Sequence, residues 1–270
     1  MPLLVCATPI GNLQDVTLRV LDALQEADLV VCEDTRRTRA LLERHGIKAR
    51  VRSLDRHAEA RRIPQLLPLL ETGETLVLVS DAGLPGVNDP GARLIDAAIA
   101  AGVSVSVLPG PTAAAAALVV SGLAAERFLV VGFVPRTEHG RRGLWNELRG
   151  LAWPVVAFES ARRLPATLAS LAATEPDRPV AVCRELTKLH EEVVRGRAAE
   201  VADTFAEPPR GEVTIVIGAA PAGAEADAIE PAVLSALAAL VELGVPRRRA
   251  ADLIGGLVDQ PANRLYRASL

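Results

Sequence analysis

The chain has 270 residues, 50% of them hydrophobic, and a formal net charge of −3. That length and apolar content suit one large domain or two smaller ones around a substantial core, and the acidic balance excludes a uniformly basic nucleic-acid binder. The longest apolar runs, such as Leu76 to Val79 and Val213 to Ile217, fall far short of the roughly 20 residues that span a bilayer, and no basic segment precedes an apolar stretch at the amino terminus, so a soluble cytoplasmic protein is expected.

Through residue 122 the pattern alternates. It reads strand 3–8, helix 15–26, strand 28–32, helix 36–45, strand near 50–53, helix 58–71, strand 76–80, helix 90–101, strand 103–107 and helix 112–121. The strands are nearly continuous apolar runs, which marks a parallel sheet covered on both faces and hence an α/β domain. Asp15 and Thr17 open the first helix, Gly46 and Gly102 close two others, and Pro90 stands at the first turn of a fourth.

From Phe128 the texture changes to closely spaced β-rich runs at 128–133, 154–159, 179–185, 192–195 and 212–218, with helices expected only at 164–172 and 198–204. This predicts a second α/β domain with a mixed sheet over 123–222, after a first domain over 1–122. A third segment, 229–270, follows PAGAEADAIEP and reads as helix 231–243, a turn at Gly244-Val245-Pro246, helix 247–255 and a short helix from about 261, an appendage of helix-turn-helix character.

Cys6, Cys32 and Cys183 each close an apolar run (LLVC, LVVC, VAVC) and form no CxxC pair or metal-ligand spacing with the four histidines. They read as buried strand-end hydrophobes, and neither a metal nor a disulfide is expected. Charge is unevenly spread. Arg36 to Arg62 holds ten basic residues, Arg37, Arg39, Arg50 and Arg52 among them, against three acidic ones, or +7. Smaller clusters lie at Arg136, Arg141, Arg142 and Arg149, and at Arg247, Arg248, Arg249, Arg264 and Arg267. Such clusters are solvated surface or contacts to an anionic polymer.

In a parallel α/β sheet the functional loops leave the carboxyl ends of the strands. Here those loops read Thr8-Pro9-Ile10-Gly11-Asn12; Glu33-Asp34-Thr35-Arg36; the stretch SDAGLPGVNDPG from Ser80; and LPGPTA from Leu108, which leads into a run of alanines. Glycine lets a ligand approach the backbone, proline fixes a loop without offering a donor, and Asp81 can accept hydrogen bonds from hydroxyl or amino groups. No loop has GxGxxG or GxxxxGK[ST], so the ligand suited is one without phosphates. The second domain adds FES, RELTK and GEVT at strand ends, which points to a cleft shared by the two domains.

TPIGNLQDVTLR, EDTRRT, SDAGLPGVNDPG, PGPTAAAAAL, SGL, GFVP followed by GRR, FESARRL, RELTKLHE and GEVTIVI, in this order from about residue 3 to the closing NRLYRASL, resemble the tetrapyrrole-methylase-like class of S-adenosylmethionine methyltransferases. Within that class the likeness is to its ribosomal RNA small-subunit methyltransferase I family. The resemblance implies two α/β domains with S-adenosyl-L-methionine folded into the cleft between them, a homodimer, and methylation of a ribose 2′-hydroxyl of 16S rRNA in the 30S subunit, at the cytidine numbered 1402.

It further implies that Pro9, Gly11, Asp81, Ala82, Gly83 and Leu84 line the cofactor cleft, with Thr112 and Ala113 packed against the cofactor and Phe158 and Val213 closing the other wall. Glu33, Asp34, Arg36, Arg184, Glu185 and Glu191 match positions on the substrate side. A ribose hydroxyl is a poor nucleophile near neutral pH, so a base is useful, and Asp34 and Glu33 are the candidates, with Arg36 or Arg184 steering the RNA. Arg37, Arg39, Arg50, Arg52, Arg141, Arg142, Arg247 and Arg248 would hold phosphates. The chain departs from the family pattern at Ala58, Thr137 and Leu84. Two other readings stay open: a small-molecule tetrapyrrole methyltransferase of the precorrin or uroporphyrinogen type, and a non-catalytic RNA-binding or assembly protein.

Overall fold

The computed structural model describes residues 3–55, 58–86, 89–220, 231–258 and 262–269. Residues 1–220 form one compact unit and 221–270 another.

The first sheet grows from the alternating half of the sequence. In chain order its elements are β1 (Leu3–Cys6), α1 (Leu18–Glu26), β2 (Leu29–Cys32), α2 (Thr35–Arg44), β3 (Val51–Ser53), α3 (Glu59–Glu71), β4 (Leu76–Val79), α4 (Ala92–Ala100) and β5 (Val105–Leu108). The strand order is β3-β2-β4-β1-β5, all parallel. Because β2 and β4 are buried at every residue, both faces need a cover. Val20 and Leu24 of α1 with Leu41 and Leu42 of α2 cover one face, and Leu66 and Leu70 of α3 with Leu94 of α4 cover the other. Each such side chain contributes about 1.5–3 kcal/mol by leaving water.

The chain then passes into α5 (Ala113–Ser121), capped by the Thr112 hydroxyl and ended by Gly122 in the left-handed region. Next come β6 (Leu129–Phe133), α6 (Glu138–Leu148), β7 (Val155–Ser160), α7 (Leu164–Thr174), β8 (Pro179–Arg184), β9 (Glu192–Arg197), α8 (Ala198–Thr204) and β10 (Glu212–Ile217). The second sheet is mixed, in the order β6-β7-β10-β8-β9, with only β6 and β7 parallel. Helices α6 to α8 pack on one face. Its other face is covered by α5, whose Ala117 and Leu118 meet Val156, Ala181, Cys183 and Val216.

Helix α6 corrects the expectation that 134–153 holds no helix. Gly140 and Gly143 hide its signal, but the Thr137 hydroxyl accepts from Gly140 N, and Arg141, Trp145 and Leu148 share the buried face at helical spacing.

The second unit consists of α9 (Pro231–Glu242), α10 (Arg247–Val258) and α11 (Ala262–Ala268), packed around Leu237, Ala250, Ala251, Ile254 and Leu265. Among the described residues no helix is long and apolar enough to cross a membrane.

Candidate active site

At the carboxyl edge of the first sheet, the loops after β1 and β4 are joined by a two-residue bridge. Thr8 N donates to Gly83 O at 2.8 Å and Gly83 N to Thr8 O at 3.0 Å, while the Thr8 hydroxyl donates to Ser80 O at 3.0 Å. Gly83 has φ +78°, which explains a glycine there. The loop after β2 joins them through Asp34 N, which donates to Asp81 Oδ1 at 2.9 Å.

The proline-stiffened TPIGN loop also reaches the second sheet. Ile10 is buried among the apolar residues under α5, and Asn12 N donates to the Thr187 hydroxyl at 3.0 Å. A Cβ on Gly11 would lie 2.7 Å from Leu186 O, Lys188 Cγ and Thr187 Oγ1, so only glycine permits this approach.

The loop it meets, between β8 and β9, carries two non-glycine residues in the left-handed region, Glu185 at φ 52° and Thr187 at φ 66°. Such positions cost of order 1–3 kcal/mol each and persist only where surroundings hold them. Here the Glu191 carboxylate accepts from Thr187 N at 2.6 Å. Glu185 N donates to Glu212 O at 3.0 Å, and Glu212 N donates to Glu185 Oε1 at 2.9 Å. Lys188 Nζ lies 2.8 Å from Glu185 and 3.0 Å from Glu212.

These loops enclose a cavity of about 300 Å³. Its walls are Thr8 to Gly11 and Leu13; Arg37, Thr38, Ala40 and Leu41 of α2; Ser80, Asp81 and Ala82; and, from the second sheet, Lys188 and Glu212. Arg37 stands between the two sides, 3.6 Å from Asp81 and 3.9 Å from Glu212. The volume is that of a site for a drug-sized molecule. Its wall pairs two carboxylates, Asp81 and Glu212, with two cations, Arg37 and Lys188, and Ile10, Leu13 and Leu41 offer apolar surface, a combination that suits a polar ligand with an apolar part.

The family model for tetrapyrrole (corrin/porphyrin) methylases matches residues 2–202. The ribosomal RNA small subunit methyltransferase I of Thermotoga maritima is 41% identical over 216 residues, covering 80% of this chain and 97% of that protein. The chain belongs to this family. The protein of the same name from Mycobacterium tuberculosis (strain ATCC 25618 / H37Rv) is 48% identical over 223 residues, 81% of this chain and 78% of that one. The fold is that of the solved uroporphyrin-III C-methyl transferase from Thermus thermophilus complexed with S-adenyl homocysteine, with a TM-score of 0.57 at 20% identity over 81% of this chain and 97% of that one.

In this methylase the residues nominated from sequence fall into distinct places. Pro9, Gly11, Asp81, Ala82 and Arg37 line the cavity. Gly83 lies beneath it in the bridge to Thr8, and Leu84 packs on the core under α3 and α4. Ala113, the first residue of α5, packs on the apolar cluster between that helix and the second sheet, beside the capping Thr112. Phe158 is half-buried at the end of β7, its ring centroid 5.7 Å from that of Phe133. Val213 is a correction: its side chain lies in the core beneath α6 to α8, since neighbours in a strand face opposite ways, and Thr214 takes the other face, paired with Phe158.

The polar nominees divide likewise. Asp34 caps α2 and its carboxylate is gripped by Arg36, Nη2 to Oδ2 at 2.6 Å. The side-chain and backbone hydrogen bonds from Arg36 hold its pKa down to about 2, which makes it a weak proton acceptor. Glu33 precedes it and is half-buried. Arg184 is engaged by Glu192 and Arg210 O. Arg141 is a second correction: it is buried on α6, bonded to Glu138 and Arg136 O, so it is not offered to a polymer. Arg142 pairs with the same Glu138 but is exposed. Arg39 and Arg50 are exposed and Arg52 half-buried.

In the separate helical unit, Arg247 is half-buried and Arg248 lies over Tyr266, 5.7 Å from the ring centre. The side chains of Arg264 and Arg267, together with Arg56, His57, Val87 and Asn88, lie outside the described residues. Ala58 is buried at the start of α3, where the next residue, Glu59, accepts from Gly91 N and Arg93 N. Sequence reasoning placed RELTK and GEVT at a shared cleft but did not single out Lys188 and Glu212 as the cavity residues within them. The available signal was that Lys188 is one of only two lysines and lies within RELTK.

Proposed function

We propose that this chain is an S-adenosylmethionine-dependent methyltransferase that modifies the ribose 2′-hydroxyl of a cytidine in small-subunit ribosomal RNA, the one numbered 1402, with the assembled 30S subunit as substrate. The single observation that carries the reading is the cavity between the two sheets, walled by Thr8 to Gly11, Asp81, Lys188 and Glu212, in a chain whose relatives at 41% and 48% identity are named ribosomal RNA small subunit methyltransferase I. A neighbour of the same fold is a complex with S-adenyl homocysteine, and the wall chemistry fits the parent cofactor.

The bound cofactor supplies an activated methyl group on a positively charged sulfur. What the chain supplies is position. Asp81 would hold hydroxyl or amino groups at the sheet edge, Ile10 and Leu41 would exclude water from the flat ring, and Arg37, at the cavity wall, belongs to the basic stretch that would attract phosphates. A macrocyclic tetrapyrrole is the weaker reading, because the uroporphyrin enzyme shares the fold at only 20% identity.

The chain acts as a homodimer in the cytoplasm, where its substrate is assembled. Supporting the pairing, the edge strands β5 and β6 expose Val107 at 54%, Leu129 at 39% and Phe133 at 62%, and open apolar edges are normally covered. The test is transfer from labelled S-adenosylmethionine to 30S subunits lacking the modification, with the nucleoside identified by mass spectrometry. A 2′-O-methylated cytidine is expected; labelling of a porphyrinogen and not of RNA overturns the reading.

A further inference from the structure

The second sheet contributes two charged side chains, Lys188 and Glu212, to the cavity wall. We propose that Lys188 is a catalytic residue that touches the oxygen receiving the methyl group, its ammonium stabilising the negative charge that builds there as the proton leaves. This rests on the methyl-transfer reading above.

Three observations point to it. Lys188 lines the cavity opposite Asp81. Two of its three N–H donors are taken by Glu185 at 2.8 Å and Glu212 at 3.0 Å, so the head is fixed in space with one donor left for a ligand. Last, the backbone that presents it is held in an unfavourable shape. Glu185 and Thr187 both sit at positive φ, restrained by Glu191, Asn12 and Glu212, and Gly11 is small enough to let the loop close on it. Strain kept by so many restraints is found where placement matters. The next residue, Leu189, is 92% exposed, so the loop tip faces outward, where a large polymer approaches.

The charged groups around Nζ are Glu185 and Glu212, with Arg184 beside Glu185 and Arg37 beside Glu212. Burial by itself would lower the lysine's pKa, but the hydrogen bonds it donates to the two carboxylates raise it on balance, so it remains a cation and acts by charge. In the step, the hydroxyl O–H bond breaks and the proton passes to water at the cavity mouth. The oxygen–carbon bond forms as the carbon–sulfur bond breaks, and the sulfur's positive charge is discharged. Atoms and charges balance with no oxidant or reductant.

The experiment compares wild type, Lys188→Gln and Lys188→Arg in the full chain on unmethylated 30S subunits. Single-turnover rate at saturating RNA and cofactor is measured, alongside calorimetric affinity for S-adenosylhomocysteine and filter binding of subunits. Lys188→Gln should lose roughly 100-fold in rate, as the removal of one oxyanion donor does, with both affinities within about twofold of wild type; Lys188→Arg should recover at least tenfold. A Lys188→Gln rate within about threefold of wild type, or a fall in either affinity matching the fall in rate, overturns the proposal. Absence of product from wild type on the same subunits instead overturns the methyl-transfer reading itself.

Discussion

The backbone N–H of Asp34 donates to Asp81 Oδ1 at 2.9 Å, which joins the carboxyl ends of β2 and β4 at the rim of the cavity. Asp81→Asn keeps an acceptor oxygen for that bond and removes the charge that faces Arg37 and the ligand. A hydrogen bond to a charged acceptor contributes about 1.5–3 kcal/mol, so calorimetric affinity for S-adenosylhomocysteine should fall at least tenfold. The melting temperature should move by only a few degrees.

Asp34 itself should titrate low. Arg36 grips its carboxylate and holds its pKa at about 2. A carboxylate depressed in the folded state stabilises fully above its unfolded value, 3.8, and that contribution is lost as pH falls from there through about 2. A carboxyl-carbon NMR titration should show this low midpoint, and Arg36→Gln should raise it. A midpoint near the ordinary aspartate value in the wild-type chain contradicts the contact, and with it the reason for setting Asp34 aside as the base.

Gly11→Ala tests the meeting of the two sheets. Its new Cβ would press on Leu186 O, Thr187 Oγ1 and Lys188 Cγ, all at 2.7 Å. Overpacking of this kind costs about 1–3 kcal/mol. The loop of Lys188 must retreat, so methylation should fall more steeply than denaturant stability does. Equal activity in the variant would mean that the loop approach is not needed.

The three thiols should be silent. Cys6, Cys32 and Cys183 are all buried. Burial pushes Cys6 up to about 12 and Cys183 up to about 11, and raises Cys32 as well. Since the thiolate is the reactive form, a neutral-pH thiol titration of the native chain should find none in the first minutes and all three after unfolding.

The first sheet was legible because its strands are unbroken apolar runs and its helices carry local punctuation, such as the Thr17 cap and the positive-φ glycines Gly46 and Gly102. The TPIGN and SDA loops could be placed at strand ends for the same reason. Helix α6 was not legible, since its apolar residues are few and its signal lies in one cap and one buried face. RELTK and GEVT could be read as cleft stretches, but the meeting of Lys188 with Glu212 could not. They meet only because β8 and β10 pair antiparallel, with Val213 opposite Arg184, and that register is a long-range fact. Val213 was misread for a local reason: strand alternation turns a one-residue error into the wrong face.

Helix α5 follows the last strand of the first sheet yet lies against Val156, Ala181 and Val216 of the second. Anyone grafting the second sheet of one methylase onto the first of another should therefore splice at the Pro109-Gly110-Pro111 turn and not after Gly122. A junction at the later point would pair the second sheet with a foreign helix. The same constraint applies to inheritance: a recombination at the apparent boundary would leave one half without its own lid, whereas one before Ala113 passes on a sheet and its cover as a single heritable piece.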